Sequence, residues 1–182
     1  AGVVLSSGIQ ASVALAEKLS APVFCNYQHN DAFPGSHPLS VGPLGYNGSK
    51  AAIELIQNAD VVLALGTRLN PFSTLPGYGI EYWPKDAKLI QVDINSDRNG
   101  LTKPGSVAIQ GDAKAVAEQH LAKLSSKAGD EGRKERENLV AQTKSAWLQL
   151  LSSLDHEEAD PGTTWHERAR NSQPKHMSPR MA

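Results

Sequence analysis

Residues 61–65 read Val-Val-Leu-Ala-Leu, opened by Asp60 and closed by Gly66. Five apolar residues without polar alternation fit a strand buried on both faces, and such strands belong to parallel sheets with helices on either side. Two further runs repeat the pattern, Lys88-Leu-Ile-Gln-Val-Asp93 and Ser106-Val-Ala-Ile-Gln110, and the shorter Val23–Tyr27 adds another. Before, between and after them lie segments with the period of amphipathic helices. The first carries Ile9, Val13 and Ala16, with Ser6 or Ser7 as N-cap and Pro22 as stop. The second, Ser49 to Asn58, carries Ala52, Ile53 and Ile56. The third follows Asp112 as N-cap and carries Ala113, Ala117, Leu121 and Leu124. Strands alternating with helices are βαβ units, so the expected class is α/β with a doubly wound, mostly parallel sheet.

With 182 residues the chain holds one domain and an appendage. Its 18 Lys+Arg against 19 Asp+Glu give a net charge of -1, so no basic field exists to hold nucleic acid or an anionic membrane. No stretch reaches the roughly eighteen apolar residues of a membrane span. Cys25 is the single cysteine, which excludes an internal disulfide and an all-cysteine metal site. In the apolar run Ala21-Pro-Val-Phe-Cys25 it reads as a buried small hydrophobe, and a reducing, cytoplasmic setting is expected.

The domain is expected to span residues 1–124. Residues 125–137 are almost all small or charged with mixed signs, the pattern of a solvated linker or helix face. Leu139, Val140, Trp147, Leu148, Leu150, Leu151 and Leu154 then restore helical spacing, with no following domain to cover the stripe. Residues 157–182 are polar, without period, and read as a disordered tail. Two long Gly- and Pro-containing segments, 28–48 and 70–86, read as loops.

In an open parallel sheet, ligands bind beyond the carboxyl ends of the strands. Three places there carry suitable groups. Gly66-Thr67-Arg68 offers close backbone approach, a hydroxyl and a guanidinium fork suited to phosphate or carboxylate. Asp93 stands where a ribose-hydroxyl acceptor would stand, and Gly111-Asp112-Ala113 opens a helix whose free amides favour anions. The alternatives are a turn for Gly66, a surface ion pair for Arg68 and caps for Asp93 and Asp112. The loop after Tyr27 carries His29, Asn30, Asp31, Ser36 and His37, polar side chains able to bind a sulfonate or phosphate; contact between subunits is the competing role.

No metal site is expected: His29 and His37 stand apart in a loop, His120 lies on a helix, and His156, His166 and His176 lie in the tail. The sequence lacks G-x-S-x-G, a P-loop and H-E-x-x-H, so those hydrolase, NTPase and zincin chemistries lack their motifs. Pattern alone stops at an α/β domain suited to a nucleotide.

Three segments in order resemble the Rossmann-like central domain of thiamine-diphosphate (ThDP) enzymes of the acetolactate synthase and pyruvate oxidase type. They are Leu15-Ala-Glu-Lys-Leu-Ser-Ala-Pro-Val23, Ala59-Asp-Val-Val-Leu-Ala-Leu-Gly-Thr-Arg-Leu69, and Leu89-Ile-Gln-Val-Asp-Ile-Asn-Ser-Asp-Arg-Asn-Gly100 with the trailing Gly111-Asp112-Ala113. The resemblance covers residues 1–124. Loop segments 26–38 and 70–79 resemble those of an acetyl-transferring branch. The resemblance implies a three-domain enzyme of which this chain is a fragment, its first central strand and glycine turn lying before Ala1. Residues 139–182 would then run toward a diphosphate-binding domain. It implies ThDP and Mg²⁺ held outside this chain, no catalytic residue within it, a small-molecule substrate and a homo-oligomer, dimer or tetramer. Thr67, Arg68, Asp93 and Asp112 match positions where relatives hold FAD or ADP, although the truncated glycine turn weakens that site. A stand-alone nucleotide-binding module and a sirtuin-like deacylase are the competing classes; one cysteine rejects the latter's zinc module.

Overall fold

The computed structural model describes residues 1–26, 28–45, 48–74 and 81–155. Residues 1–148 form one compact unit, and the described residues beyond it, 149–155, are helical. The order is α1 (Gly2–Leu5), α2 (Ile9–Leu19), β1 (Val23–Asn26), β2 (Ser40–Leu44), α3 (Lys50–Gln57), β3 (Val61–Leu65), α4 (Pro71–Thr74), β4 (Lys88–Asp93), β5 (Val107–Gln110), α5 (Ala113–Lys123) and α6 (Arg133–Asp155). Single 3₁₀ turns lie at Asn30–Ala32 and Ser96–Arg98. The α/β class is observed, and every described strand pair is parallel.

The sheet comes in two pieces, β1–β2 and β3–β4–β5. Alternation along β1 shows the two-sided cover. Phe24 packs on the cluster of Val41, Leu44, Ala51, Ala52, Leu55, Ile56, Tyr82 and Val140, whereas Cys25 belongs to the cluster of Ala16, Phe33 and Leu39. Helices α3 and α6 therefore cover one face and α2 the other, with α5 packed against α2 and β4. Cys25 is buried and unpaired, and burial raises its thiol pKa, which fits the small-hydrophobe reading.

Several local expectations are corrected. Strand β2 lies inside the segment read as loop, because Gly42 and Pro43 interrupt its apolar pattern. Pro43 is tolerated there since, among the described strands, β2 pairs only with β1. Neither Ser6 nor Ser7 caps α2. The N-cap is Gly8 without a side-chain bond; Ser6 Oγ donates to Val3 O at 3.2 Å, and Ser7 takes φ +54° in the turn out of α1. Ser49 and Asp112 do cap, accepting from Ala52 N–H and Ala115 N–H at 3.4 and 3.0 Å.

The charged run is not merely solvated. Arg133 Nη1 and Nη2 donate to Glu17 O and Lys18 O at 3.1 and 3.2 Å, and Arg136 Nη2 and Nε donate to Leu19 O and Ser20 O, both at 3.3 Å. Two guanidinium groups thus satisfy the last carbonyls of α2, where a helix end leaves acceptors unpaired and favours positive charge. The apolar stripe of α6 is also covered over its first half: Val140 is buried in the α3 cluster and Trp147 packs against it. Tyr27, the segment 75–80 and the tail from residue 156 lie outside the described residues.

Candidate functional site

Register aligns the exits of three strands. Leu65 pairs with Val92 and Asp93 with Gln110, so Gly66, Asp93 and Gly111 stand side by side at the carboxyl edge. Gly66 N–H donates to Val92 O at 2.9 Å and Gly111 N–H to Asp93 O at 3.0 Å. Gly2 N–H donates to Gly66 O at 2.9 Å, which draws the start of α1 into the same row. Glycine is required at 66: φ is +61°, and an added Cβ would stand 2.9 Å from Val3 N and 3.0 Å from Ala113 Cβ.

The four nucleotide candidates meet here with different freedom. Arg68 is exposed, and among the described residues its guanidinium has no hydrogen bond or ion pair. Thr67 Oγ1 accepts from Leu69 N–H at 3.1 Å. Asp93 is 5% exposed, and its Oδ1 accepts from Asn95 N–H at 2.9 Å, closing an Asx turn. Asp112 serves α5 as its cap. Arg68 is thus the uncommitted charge, while both carboxylates are engaged on one oxygen by backbone.

The loop candidates separate. His29 Nδ1 lies 3.5 Å from Asp31 Oδ1, on the 3₁₀ turn that leaves the carboxyl end of β1. Asn30 lines a cavity of about 350 Å³ together with Cys25, Ser40, Ser49, Lys144 and Trp147, away from Arg68. His37 does not share the ligand side. Because β2 runs parallel to β1, the chain must return to the amino end before Ser40, where Val23 N–H donates to Leu39 O at 2.8 Å. There His37 Nδ1 accepts from Leu39 N–H at 3.1 Å, Nε2 meets Glu17 Oε1 at 3.1 Å, and the ring stands edge-on to Phe33. Both ring nitrogens hold protein structure.

Gln91 is the residue the sequence reading passed over. It is 1% exposed on β4; Nε2 donates to Thr67 O and Arg98 O at 3.1 and 3.2 Å, and Oε1 accepts from Gly100 N–H at 2.8 Å. One amide thus ties the loop after β3 to the loop after β4. A polar residue inside Leu89-Ile-Gln-Val92 was its signal, since buried polar groups are informative where buried apolar ones are not.

Among the described residues no group of three His, Cys, Asp or Glu could hold a metal ion. The described helices include none long and apolar enough to cross a membrane.

A parallel α/β domain with its polar residues at the carboxyl edge matches a known family. The profile described as "Thiamine pyrophosphate enzyme, central domain" covers residues 1–120, and the chain belongs to that family. It is 70% identical over all 182 residues to the sulfoacetaldehyde acetyltransferase of Roseovarius nubinhibens. Over 180 residues it is 72% identical to the probable sulfoacetaldehyde acetyltransferase of Rhizobium meliloti. Against the probable acetolactate synthase large subunit of Methanocaldococcus jannaschii, identity is 31% over 153 residues, 84% of this chain and 23% of that protein. The chain spans about 30% of the length of the two acetyltransferases it matches.

Proposed function

We propose that this chain is the central domain of a ThDP-dependent sulfoacetaldehyde acetyltransferase. The whole enzyme would convert sulfoacetaldehyde and phosphate to acetyl phosphate and sulfite. The observation that carries the reading is identity of 70% along the entire chain, loops included, against 31% to an acetolactate synthase. Loops at the carboxyl edge differ among enzymes that share a scaffold, so similarity that extends through them bears on chemistry as well as fold.

In this reading ThDP would supply carbanion chemistry at the aldehyde carbon that lets the neighbouring carbon–sulfur bond break and sulfite leave with the two-carbon unit intact, and it and Mg²⁺ act in parts of the longer protein. The domain proper ends near residue 124, and 125–182 lead toward the diphosphate-binding part, with 133–148 strapped onto α2 and α3 on the way. Residues of this chain build a rigid edge: Gln91 fixes two loops, and Arg68 offers its fork to a phosphate. FAD or ADP is the class of ligand whose parts match Arg68 and Asp93. The enzyme works in the cytoplasm on a small molecule and assembles as a homo-oligomer, dimer or tetramer. Assay of the longer enzyme with sulfoacetaldehyde, phosphate, ThDP and Mg²⁺ tests the reading. Phosphate-dependent sulfite release supports it, whereas acetolactate formation from pyruvate with no sulfite release would transfer the chain to the synthase branch.

A further inference from the structure

The cavity of about 350 Å³ that Asn30 lines is bounded by β2, by the start of α3 and by α6. Its volume falls at the lower end of the range usual for small-molecule sites. Pro43 of β2 and Trp147 of α6 give it apolar walls, and neither Arg68 nor Asp93 reaches it.

The polar side chains of the cavity bring hydrogen-bond donors without matching acceptors. Lys144 Nζ donates to His37 O and Pro38 O at 3.4 and 3.2 Å. An ammonium carries three N–H groups, so one is left over. Lys144 is half-buried, yet among the described residues it has no ion pair, and no Asp or Glu lines the cavity. A charge withdrawn from water is costly unless it is paired. Ser40 is 7% exposed, and among the described residues its hydroxyl has no hydrogen bond. Buried polar groups without a partner are few in folded proteins, and each calls for an explanation. Ser49 accepts from Ala52 N–H through Oγ, which leaves its own O–H to donate. As the cap of α3 it also stands at the electropositive end of that helix. Lys50 Nζ lies 5.8 Å from the centre of the Trp147 ring, so a second positive charge sits beside the same wall.

We propose that this cavity binds a small organic anion. Lys144, Ser40 and Ser49 hold an oxyanion head, and a short apolar body of about two to four carbons lies against Pro43 and Trp147. The head is anionic because an ammonium without a counter-charge and two free hydroxyl donors line one cavity that no carboxylate shares. A sulfonate offers three oxygens to these three donors and a carboxylate two, which favours the sulfonate. The site stands on residues of this chain alone and is independent of the reaction proposed for the whole enzyme.

Calorimetry of 1-propanesulfonate on the longer enzyme, together with a crystal structure of that enzyme with the same ligand, tests the proposal. The expected Kd is about 1 mM or tighter, weakened about tenfold or more by Lys144→Met and severalfold by Ser40→Ala. The ligand should sit between Ser40, Ser49 and Lys144. Propanesulfonamide, of the same shape without the charge, should bind about tenfold more weakly or worse, and propionate severalfold more weakly. Tighter binding of propionate would keep the anion site and make a carboxylate its ligand. Equal affinity for the sulfonamide would overturn the proposal, as would absent binding or binding that Lys144→Met and Ser40→Ala leave unchanged. So would a crystal structure in which water alone, or another part of the enzyme, fills the cavity. Should Lys144→Met fail to fold, Ser40→Ala and the crystal structure of the unaltered enzyme decide.

Discussion

Replacing Gln91 by leucine leaves the shape of β4 nearly unchanged but removes three hydrogen bonds, to Thr67 O, Arg98 O and Gly100 N–H. Each contributes about 1 kcal/mol net, and a buried partner left without replacement costs about 1–3 kcal/mol. Leucine recovers part of this through apolar burial, and the two loops can turn some groups to water. The expected loss is about 2–4 kcal/mol, or a fall in Tm of roughly 5–15 °C at this chain length. Urea unfolding followed by circular dichroism measures it, with Gln110→Leu on the exposed edge strand β5 as the control, expected within about 0.5 kcal/mol. If Gln91→Leu also falls within about 0.5 kcal/mol, Gln91 does not hold the two loops together.

Tyr82 is 2% exposed, and burial pushes its phenol up to about 12. A folded pKa above the unfolded one of about 10 gives stability that is full below pH 10 and lost as pH rises toward 12, by about 3 kcal/mol. Tyr82→Phe should abolish that alkaline loss, and an unchanged profile from pH 9 to 12 would contradict the assignment. Calorimetry of FAD or ADP on the chain should give a Kd weaker than about 1 µM that weakens further in Arg68→Ala; sub-micromolar binding unaffected by that change would remove Arg68 from the site. In the longer enzyme, His37→Ala should lower Tm while keeping kcat/KM within about twofold. A tenfold fall in kcat/KM at constant Tm would return His37 to the substrate side.

Much of the fold was legible because it is written in runs that a single residue pattern defines. Val61–Leu65 read as a strand since nothing interrupts its apolar character, Lys88–Asp93 since Leu89, Ile90 and Val92 outweigh the single Gln91, and Asp112 read as a cap from its position before an apolar period. Strand β2 escaped because Gly42 and Pro43 are locally unfavourable and only the ladder with β1 stabilises the extended form there. The service of Arg133 and Arg136 to α2 escaped because the partners are backbone carbonyls more than a hundred residues earlier, which no local pattern encodes. In the site, the strand ends were legible as places and Arg68 as a group. What separated His37 from His29 was the direction of β2, a tertiary fact. Gln91 carried a visible signal that spacing alone does not connect to the loops it fixes.

Acetyl transfer to phosphate from a sulfonated aldehyde is the chemistry this chain is proposed to serve. Phosphorus NMR of the longer enzyme turning over sulfoacetaldehyde with ThDP, Mg²⁺ and inorganic phosphate, with sulfite titrated in parallel, tests it most directly. The expected result is acetyl phosphate formed in equal amount to sulfite, with both absent when phosphate is omitted. Sulfite released with acetate in place of acetyl phosphate, or no phosphorylated product at any phosphate concentration, would contradict it.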